Sequence, residues 1–142
     1  MVRAFSEKDL HAIMQIWLDT NIKAHHFISK DYWADHYVMV KDLLPQAELY
    51  VYEDEDTYQI EGFIGLTNNY IEGIFVKEAH QSRGIGAELL NYAKQIKPSL
   101  RLSVYQKNTR AITFYQRELF VICSENTDAR TNEKEFLMTW CR

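Results

Sequence analysis

The segment that most constrains this chain is a glycine-containing turn, Gln81-Ser82-Arg83-Gly84-Ile85-Gly86, called the glycine turn below. It joins an apolar stretch with strand character, Ile71 to Val76, to an apolar stretch with helical spacing, Ile85 to Ile96. The first N–H groups of a helix have no partner within the helix, and the helix dipole adds partial positive charge there. Because Gly84 and Gly86 carry no Cβ, a bulky anion can approach the main chain. The pattern predicts a pyrophosphate site.

Two common nucleotide-binding motifs do not fit this turn. A dinucleotide fingerprint requires a third glycine three residues after Gly86, where this chain has Leu89. A nucleoside triphosphate loop requires Gly-Lys-Ser/Thr, which is absent from the turn. Taken alone, the turn is equally compatible with a tight loop before an ordinary helix, so its interpretation depends on the surrounding sequence.

A second motif, Asn108-Thr109-Arg110-Ala111-Ile112-Thr113-Phe114-Tyr115, follows the glycine turn. Gln81 comes five residues after Val76, the predicted end of the preceding strand. Together the motifs span Ile71 to Phe120 and resemble the GNAT superfamily of acetyl-CoA-dependent N-acetyltransferases. Members of that superfamily carry Gln/Arg-x-x-Gly-x-Gly/Ala and then Asn-x-x-Ala-x-x-x-Tyr.

The resemblance implies an α/β fold, with a single N-acetyltransferase domain over residues 1–142. This fold has a mixed, mostly antiparallel sheet flanked by helices, in the order β-α-α-β-β-β-α-β-α-β-β. In the family, the strands before the two motif helices splay apart, and the pantetheine arm of acetyl-CoA enters the gap like an extra strand. Carried over to this sequence, the resemblance implies these cofactor-binding residues: Ile74, Phe75, Val76, Gln81, Ser82, Arg83, Gly84, Ile85, Gly86, Ala87, Asn108 and Tyr115.

Local patterns predict the same order of elements. Strands are expected at Val2–Phe5, Leu49–Tyr52, Gln59–Thr67, Ile71–Val76, Arg101–Tyr105, Phe120–Ser124 and Lys134–Trp140. Helices are expected from an N-cap at Ser6 to Thr20, and over Asp31–Leu44, Ile85–Ile96 and Thr109–Arg117. Asn21–Ser29 and Asn126–Asn132 are predicted to be polar loops, and Gly62 and Gly65 are candidate bulge positions.

Composition narrows the functional classes. With 46% apolar and 25% charged residues and no apolar run of about 20 residues, the chain has a soluble globular balance without a membrane span. A net charge of −4 argues against a nucleic-acid-binding surface. The N-terminus lacks the apolar stretch of a signal peptide, and Cys123 and Cys141 lack metal-ligand spacing. We therefore expect a cytoplasmic protein with no metal.

Acetyl transfer from a thioester to an amine needs a neutral amine, donors to the oxyanion and a proton donor for the thiolate. Tyr115 occupies the family's general-acid position, and a phenol with a reference pKa of about 10 can donate at neutral pH. Without the resemblance, a core tyrosine is the simpler interpretation. Asn108 is expected to contact the cofactor, to cap its helix, or both. The Val76 N–H is the expected oxyanion donor, exposed if the strand bulges at that residue.

Two residues are candidates for the general base. Glu72 lies where many family members carry a carboxylate that relays a proton through water; a solvent-facing strand residue is the alternative. His25, preferred to His26, lies in the loop that borders the acceptor site in this family. Its segment, His25-His26-Phe27-Ile28, is similar to one in small, incompletely characterised bacterial members. Imidazole suits proton transfer at pH 7, but a surface histidine is equally compatible, and an amine that deprotonates in solution needs no base.

The acceptor site has the weakest sequence pattern. Residues of the first two helices are candidates to line it, with helix–helix core packing as the alternative: Trp17, Asn21, Tyr32, Trp33 and Tyr37. The family's Gly-Phe after the tyrosine helix is replaced by Leu119-Phe120, so we expect that helix to end differently. Ser103 stands where acetyltransferases of protein N-termini often carry Glu, which argues against that activity.

The sequence therefore predicts an acetyl-CoA-dependent N-acetyltransferase that moves the acetyl group to a primary amine by direct attack. A small molecule is the first-choice acceptor. Two alternatives remain: acetylation of protein lysines or N-termini, and a module that binds acyl-CoA without turnover. The expected partners are acetyl-CoA and an amine, with no nucleic acid and no membrane. A homodimer stays open, because many relatives dimerise.

Overall fold

One seven-stranded sheet organises the molecule, in the spatial order β1-β2-β3-β4-β5-β7-β6. We describe it from a computed structural model that covers residues 1–142. The strands are β1 (Val2–Ala4), β2 (Glu48–Glu53), β3 (Ile60–Thr67), β4 (Tyr70–Val76), β5 (Ser99–Tyr105), β6 (Val121–Asp128) and β7 (Glu133–Cys141). Every neighbouring pair is antiparallel except β4–β5, which is parallel.

Four α-helices connect the strands. They are α1 (Leu10–Ala24) and α2 (Lys30–Leu43) between β1 and β2, α3 (Ile85–Ile96) between β4 and β5, and α4 (Thr109–Arg117) between β5 and β6. Three short 3-10 turns lie at Glu7–Asp9, Leu44–Gln46 and Glu78–His80. The mixed, mostly antiparallel sheet and the order of elements confirm the predicted fold.

The two faces of the sheet carry separate apolar cores. One core packs α3 and α4 against the sheet and includes Leu89, Leu90 and Leu102. The other packs α1 and α2 against the opposite face and includes Ile13 and Phe63. Because both faces are covered, β3 is buried from Ile60 to Leu66 and reads as a nearly continuous apolar run.

The parallel strands β4 and β5 pair over two positions, Tyr70 with Arg101 and Ile71 with Leu102. Beyond these positions, β4 remains paired with β3 and β5 remains paired with β7. Strands β4 and β5 therefore diverge and leave an opening, here called the β4–β5 gap. The carboxyl ends of parallel strands meet at one edge of a sheet. The N-termini of α3 and α4, which follow these strands, therefore flank the open end of the gap.

A bulge in β4 changes which side chains face which core. Gly65 pairs with Gly73 but Leu66 pairs with Ile71, so Glu72 is the extra residue. Because of the bulge, the side chains of Ile71 and Ile74 both lie on the sheet face that packs against α3 and α4. Strict alternation along the strand would place them on opposite faces. Glu72 lies on the α1–α2 face, because its Cβ is 3.8 Å from the position of a Cβ on Gly65.

Some predicted boundaries were wrong. Helix α1 continues to Ala24, since Asn21 is buried within it and donates Nδ2 to the carbonyl of Trp17 at 2.9 Å. Strand β6 runs to Asp128, so part of the predicted loop is strand; its polar residues lie exposed on an edge strand and leave no apolar pattern. The bulges fall at Glu61, Glu72 and Cys123, and not at Gly62 or Gly65. None of the helices combines the length and apolar character that a membrane crossing requires.

Candidate active site

The glycine turn lies at the open end of the β4–β5 gap, immediately before α3. Gly84 is the N-cap of α3 and has a φ of 85°, in the left-handed region that other residues adopt at a cost. A Cβ on Gly84 would meet no atom within 4 Å, so it would project into open space. Ser82 also has a positive φ, of 65°. Backbone conformation, rather than packing within the protein, is what requires glycine at position 84.

The start of α3 has a row of free main-chain donors. No side chain caps this helix, and the N–H groups of Ser82 through Ala87 donate to no protein acceptor. Free N–H groups at the positive end of a helix dipole suit a phosphate group. Gly86 is less constrained than Gly84, since a Cβ there would lie in ordinary contact, 3.4 Å from Phe114 Cζ. The turn as folded fits the predicted pyrophosphate.

A side-chain bridge connects the glycine turn to β4 and α4. Gln81 donates Nε2 to the carbonyl of Val76 at 3.0 Å and accepts at Oε1 from Arg110 Nη1 at 2.8 Å. Arg110 also donates to Ser82 Oγ at 3.1 Å. Sequence reasoning gave Arg110 no role, although its place in the second motif, two residues after Asn108, was an available signal. The bridge holds a positive charge beside the free N–H groups of the turn.

The main chain of β4 presents hydrogen-bonding groups to the gap. The bonds of an antiparallel ladder alternate in direction, and the N–H of Lys77 donates to the carbonyl of Glu61 on β3 at 2.9 Å. The N–H and C=O groups of Ile74 and Val76 consequently point away from β3, towards the gap. Those of Phe75 point to β3, and its ring stacks on Phe63 at 4.8 Å.

The expected bulge at Val76 was wrong, because the bulge lies at Glu72. Val76 still presents its N–H to the gap, since the alternation of the ladder, and not an irregularity, turns that group away from β3. Its carbonyl is taken by Gln81, so the N–H is the main-chain group of Val76 left for a ligand. This position is where the sequence predicts the oxyanion donor.

Asn108 and His25 meet across the groove. Asn108 is the N-cap of α4, and its Oδ1 accepts the N–H of Ala111 at 3.3 Å, as expected for a cap. Its Nδ2 lies 3.3 Å from His25 Nε2. The His25 ring is half-buried, and burial lowers its pKa to about 4, opposed in part by the main chain of Asn21. His25 is thus neutral and lies among the aromatic side chains of Phe27, Trp33 and Tyr105.

Tyr115 lies at the end of α4, where Leu119 replaces the family's glycine. Leu119 itself takes a left-handed conformation, with φ of 71°. The N–H of Phe120 donates to the carbonyl of Tyr115 at 2.9 Å, and the N–H of Leu119 donates to Gln116 at 3.1 Å. These two bonds form the Schellman motif that usually ends at glycine. The expectation that the helix ends differently was wrong, since Leu119 takes the place of the glycine with the same hydrogen bonds.

The phenol of Tyr115 is buried and stays protonated. The residue is 8% exposed and packs edge-on against Phe114 at 5.3 Å. Burial, with a smaller contribution from the nearby phenol of Tyr70, raises the pKa of Tyr115 above its ordinary value. Tyr115 therefore remains protonated at neutral pH while it lines the groove that contains the gap.

The acceptor side of this groove is aromatic. The groove has a volume of about 1780 Å³, and four of the five predicted acceptor residues line it: Trp17, Asn21, Tyr32 and Trp33. Tyr37 instead packs into the α1–α2 core. Glu72, exposed on β4, lines the same groove as Tyr115 and His25.

A polar network that sequence reasoning missed completes the acceptor side. Tyr105 donates to Asp128 Oδ2 at 2.7 Å, and Asp128 also accepts the N–H of Arg130 at 3.0 Å. Burial opposes ionisation of Asp128, but the bond from Tyr105 and the main-chain bond from Arg130 lower its pKa. No local motif marks this network, because Tyr105 and Asp128 belong to different strands. No group of three His, Cys, Asp or Glu side chains is arranged to hold a metal ion.

The comparisons with known proteins agree with this geometry. Residues 10–119 match a family model described as the acetyltransferase (GNAT) family. The chain is 34% identical over 142 residues to the peptidyl-lysine N-acetyltransferase YiaC of Escherichia coli strain K12, which spans 99% of this chain and 96% of that protein.

Two solved structures extend the comparison. The apo form of YjaB from Escherichia coli superposes with a TM-score of 0.87 at 23% identity and covers 98% of this chain and 95% of its own. YncA of Salmonella typhimurium, solved with its cofactor acetyl-CoA, has a TM-score of 0.68 at 16% identity and covers 99% of this chain and 92% of its own. At these identities, the two structures show the fold alone.

Proposed function

The chain belongs to the acetyltransferase (GNAT) family, an acetyl-CoA-dependent family, and on that premise we propose that it acetylates the ε-amine of protein lysines. One observation carries the proposal of catalysis. The β4–β5 gap opens directly onto a turn of free N–H groups, and a buried protonated tyrosine lines the same groove. The name and the 34% identity of YiaC support lysine as the acceptor.

Acetyl-CoA supplies the activated acetyl group as a thioester. We assign its pyrophosphate to the free N–H groups of Ser82 through Ala87, with Arg110 as the fixed cation beside them. The main-chain N–H and C=O groups of Ile74 face the gap and are suited to its pantetheine amides, whereas the free N–H of Val76 is assigned to the thioester oxygen. Asn108, at the start of α4, lies on the opposite wall of the gap.

We assign three steps to named groups. Glu72 takes a proton from the incoming ammonium, directly or through water, so that the amine nitrogen can attack the carbonyl carbon. The N–H of Val76 donates to the oxygen that becomes negative when the C–N bond forms. As the C=O bond re-forms and the C–S bond breaks, Tyr115 gives its phenol proton to the sulfur. The nitrogen loses its second proton to solvent, which leaves a neutral amide, and solvent reprotonates the phenol. No acyl-enzyme is required, since neither Cys123 nor Cys141 lines the groove.

We assign the base to Glu72 rather than to His25. A general base needs a free lone pair within reach of the ammonium group. The Nε2 lone pair of His25 is not free, because it faces the amide of Asn108. Glu72 is exposed within the groove, where water and an ammonium group can reach it.

The acceptor assignment changes the order of preference that the sequence gave. The sequence favoured a small amine and kept protein lysine as an alternative. Single small-ligand pockets typically have a volume of roughly 300–1000 Å³. The groove here, of about 1780 Å³, is larger and is also open to solvent, so it admits a long side chain beside acetyl-CoA.

Mass spectrometry with two matched peptides tests the acceptor. Both peptides have a blocked N-terminus; one carries a single lysine and the other carries arginine in its place. We expect one added acetyl group on the lysine peptide and none on the arginine peptide. Transfer to free small amines but not to the lysine peptide would contradict lysine as the acceptor. Binding of acetyl-CoA with no transfer to any amine would indicate a module without turnover.

A further inference from the structure

His25 lies where the acceptor-side helices meet the cofactor-side helix. It is the C-cap of α1, and its ring stacks on Trp33 at 5.3 Å and meets the ring of Tyr105 edge-on at 5.1 Å. Phe27 packs edge-on at 5.7 Å. The imidazole is therefore held in place by aromatic contacts from α2, β5 and the loop after α1.

The amide of Asn108 can be oriented in one way only. Its oxygen accepts the N–H of Ala111 at the start of α4, so its nitrogen is the atom that faces His25. An amide nitrogen donates and cannot accept. His25 Nε2 must consequently be the acceptor, which places the ring proton of the neutral imidazole on Nδ1.

Most of the hydrogen-bonding groups of the Asn108 side chain are then occupied. The amide nitrogen carries two hydrogens, and one of them is directed to His25. The oxygen is engaged with the helix. The side chain has one N–H left for a molecule in the gap, so it presents a donor rather than an acceptor.

We propose that His25 is a positioning residue that fixes the Asn108 amide, so that Asn108 presents one N–H to the pantetheine arm of acetyl-CoA. The proposal rests on the proposed function for the identity of that ligand. His25 acts through Asn108 and exchanges no proton with the substrate. The same contact holds the loop after α1 against the start of α4 and so aligns the acceptor side with the cofactor side.

The surroundings of His25 support a neutral ring. Its Nδ1 is buried with only a weak main-chain contact, to Asn21, and no carboxylate is placed to orient the ring as a base. The titratable groups around it are engaged elsewhere. Tyr105 donates to Asp128, and Lys107 lies over the ring of Phe27 at 5.4 Å. His26, the next residue, is exposed.

The ring tautomer tests the proposal without any assay of activity. Long-range ¹H–¹⁵N NMR spectra of the full chain should show His25 as the Nδ1–H tautomer at pH 7, with no titration between about pH 5.5 and 8, because its pKa is about 4. Asn108→Asp keeps a good helix cap but turns a carboxylate oxygen towards Nε2. In that variant we expect His25 to be doubly protonated at pH 7.

Asn91→Asp is the matched control, because Asn91 is exposed on α3 and lies outside the groove. It should leave the His25 signals unchanged. An Nε2–H tautomer in the unmodified protein, a His25 titration near its ordinary pKa, or no response to Asn108→Asp would each overturn the proposal.

Kinetics separate positioning from base catalysis. His25→Ala removes the acceptor of the Asn108 bond, so we expect the KM for acetyl-CoA to rise roughly 3- to 10-fold, the equivalent of one hydrogen bond. The pH profile of kcat should keep its shape. His25→Gln, whose side-chain oxygen can accept the same bond, should restore most of the KM. A fall confined to kcat, with loss of the acidic limb of the profile and no rescue by Gln, would identify a base and contradict positioning.

The experiments distinguish a failure of this proposal from a failure of the proposed function. If lysine is not the acceptor, the lysine peptide stays unmodified, while the tautomer of His25 and the affinity for acetyl-CoA by calorimetry still respond as described. If His25→Ala does not fold, His25→Gln and Asn108→Asp still decide the question, because each keeps a polar side chain of similar size.

Discussion

The two halves of the candidate active site differ in the atoms that form them: main-chain groups in one half and side chains in the other. In the cofactor half, which comprises β4, α3, β5 and α4, the main chain carries the geometry: a left-handed glycine, free N–H groups and a splayed strand pair. In the acceptor half, the groove is formed by side chains from distant segments, such as Trp33 and the Tyr105–Asp128 pair. A main-chain site requires particular residues at fixed spacing, whereas a side-chain site can be assembled in many ways.

This contrast predicts how substitutions should behave. Changes at Gly84, the left-handed position of the glycine turn, should abolish one function, the binding of acetyl-CoA, because a neighbouring side chain cannot compensate for an altered backbone conformation. Changes in the acceptor half should instead alter rate or acceptor preference and leave acetyl-CoA bound.

The largest effect is expected from Gly84→Asp. The new carboxylate would project to the position that we assign to pyrophosphate, on a backbone with φ of 85°. Repulsion between two charges 4 Å apart near a protein surface is about 4 kcal/mol, so acetyl-CoA binding measured by calorimetry should weaken by at least roughly 100-fold. Gly86→Ala is the control, because a Cβ has room there, and it should bind within a few-fold. Equal losses in both variants would contradict the difference between these glycines.

The next effect is expected from Tyr115→Phe. Loss of a general acid typically lowers the rate roughly 100- to 10,000-fold, and we expect kcat to fall within this range. The affinity for acetyl-CoA should stay within a few-fold, since the ring and its packing against Phe114 are kept. Stopped-time assays and calorimetry on the same sample measure the two quantities. A variant that keeps full kcat would remove Tyr115 from the mechanism.

A smaller effect, dependent on pH, is expected from Glu72→Gln. The variant cannot take the proton of the ammonium, so kcat/KM at pH 7 should fall roughly 10- to 100-fold. The deficit should shrink as pH rises towards the pKa of about 10.4 of a lysine amine, because more amine is already neutral. Glu88→Gln, an exposed change on α3 outside the groove, should have no effect. A deficit that is the same at every pH would contradict the role of Glu72 as base.

The smallest effect concerns stability rather than activity. Leu119 is 73% exposed and holds a φ of 71° that costs a residue with a Cβ about 1–2 kcal/mol. Leu119→Gly should therefore raise the free energy of unfolding by about 0.5–1 kcal/mol after the entropy of the unfolded glycine is counted. Leu119→Ala keeps the Cβ and should show no gain. Urea denaturation of the three proteins makes the comparison, and equal stability of Gly and Ala variants would argue against strain at this position.

The same contrast explains what could be predicted from the sequence. The family, the order of elements and the sheet were predictable, because the glycine turn and the Asn108 motif are local and have fixed spacing. The place of the β4 bulge was not, since a bulge depends on how Gly65 and Leu66 pair with β4. Residue roles at the site stay predictions, although the structure brings Tyr115, Glu72 and His25 to one groove.

Contacts between distant segments account for the rest. The bond between His25 and Asn108 joins residues 83 positions apart, and no spacing rule reaches that far. Arg110 lay inside a recognised motif, yet its bond to Ser82 depends on where α4 packs against the glycine turn. Leu119 shows the converse, because the Schellman bonds persist although the expected glycine is absent.

The central claim is that the β4–β5 gap and the glycine turn hold acetyl-CoA with its thioester at Tyr115. A crystal structure of the protein with acetyl-CoA tests it most directly. We expect the pyrophosphate on the N–H groups of Ser82 through Ala87, the pantetheine arm along Ile74 and Val76, and the sulfur within hydrogen-bond reach of the Tyr115 hydroxyl. A cofactor bound outside the gap, or a sulfur that faces away from Tyr115, would contradict the account.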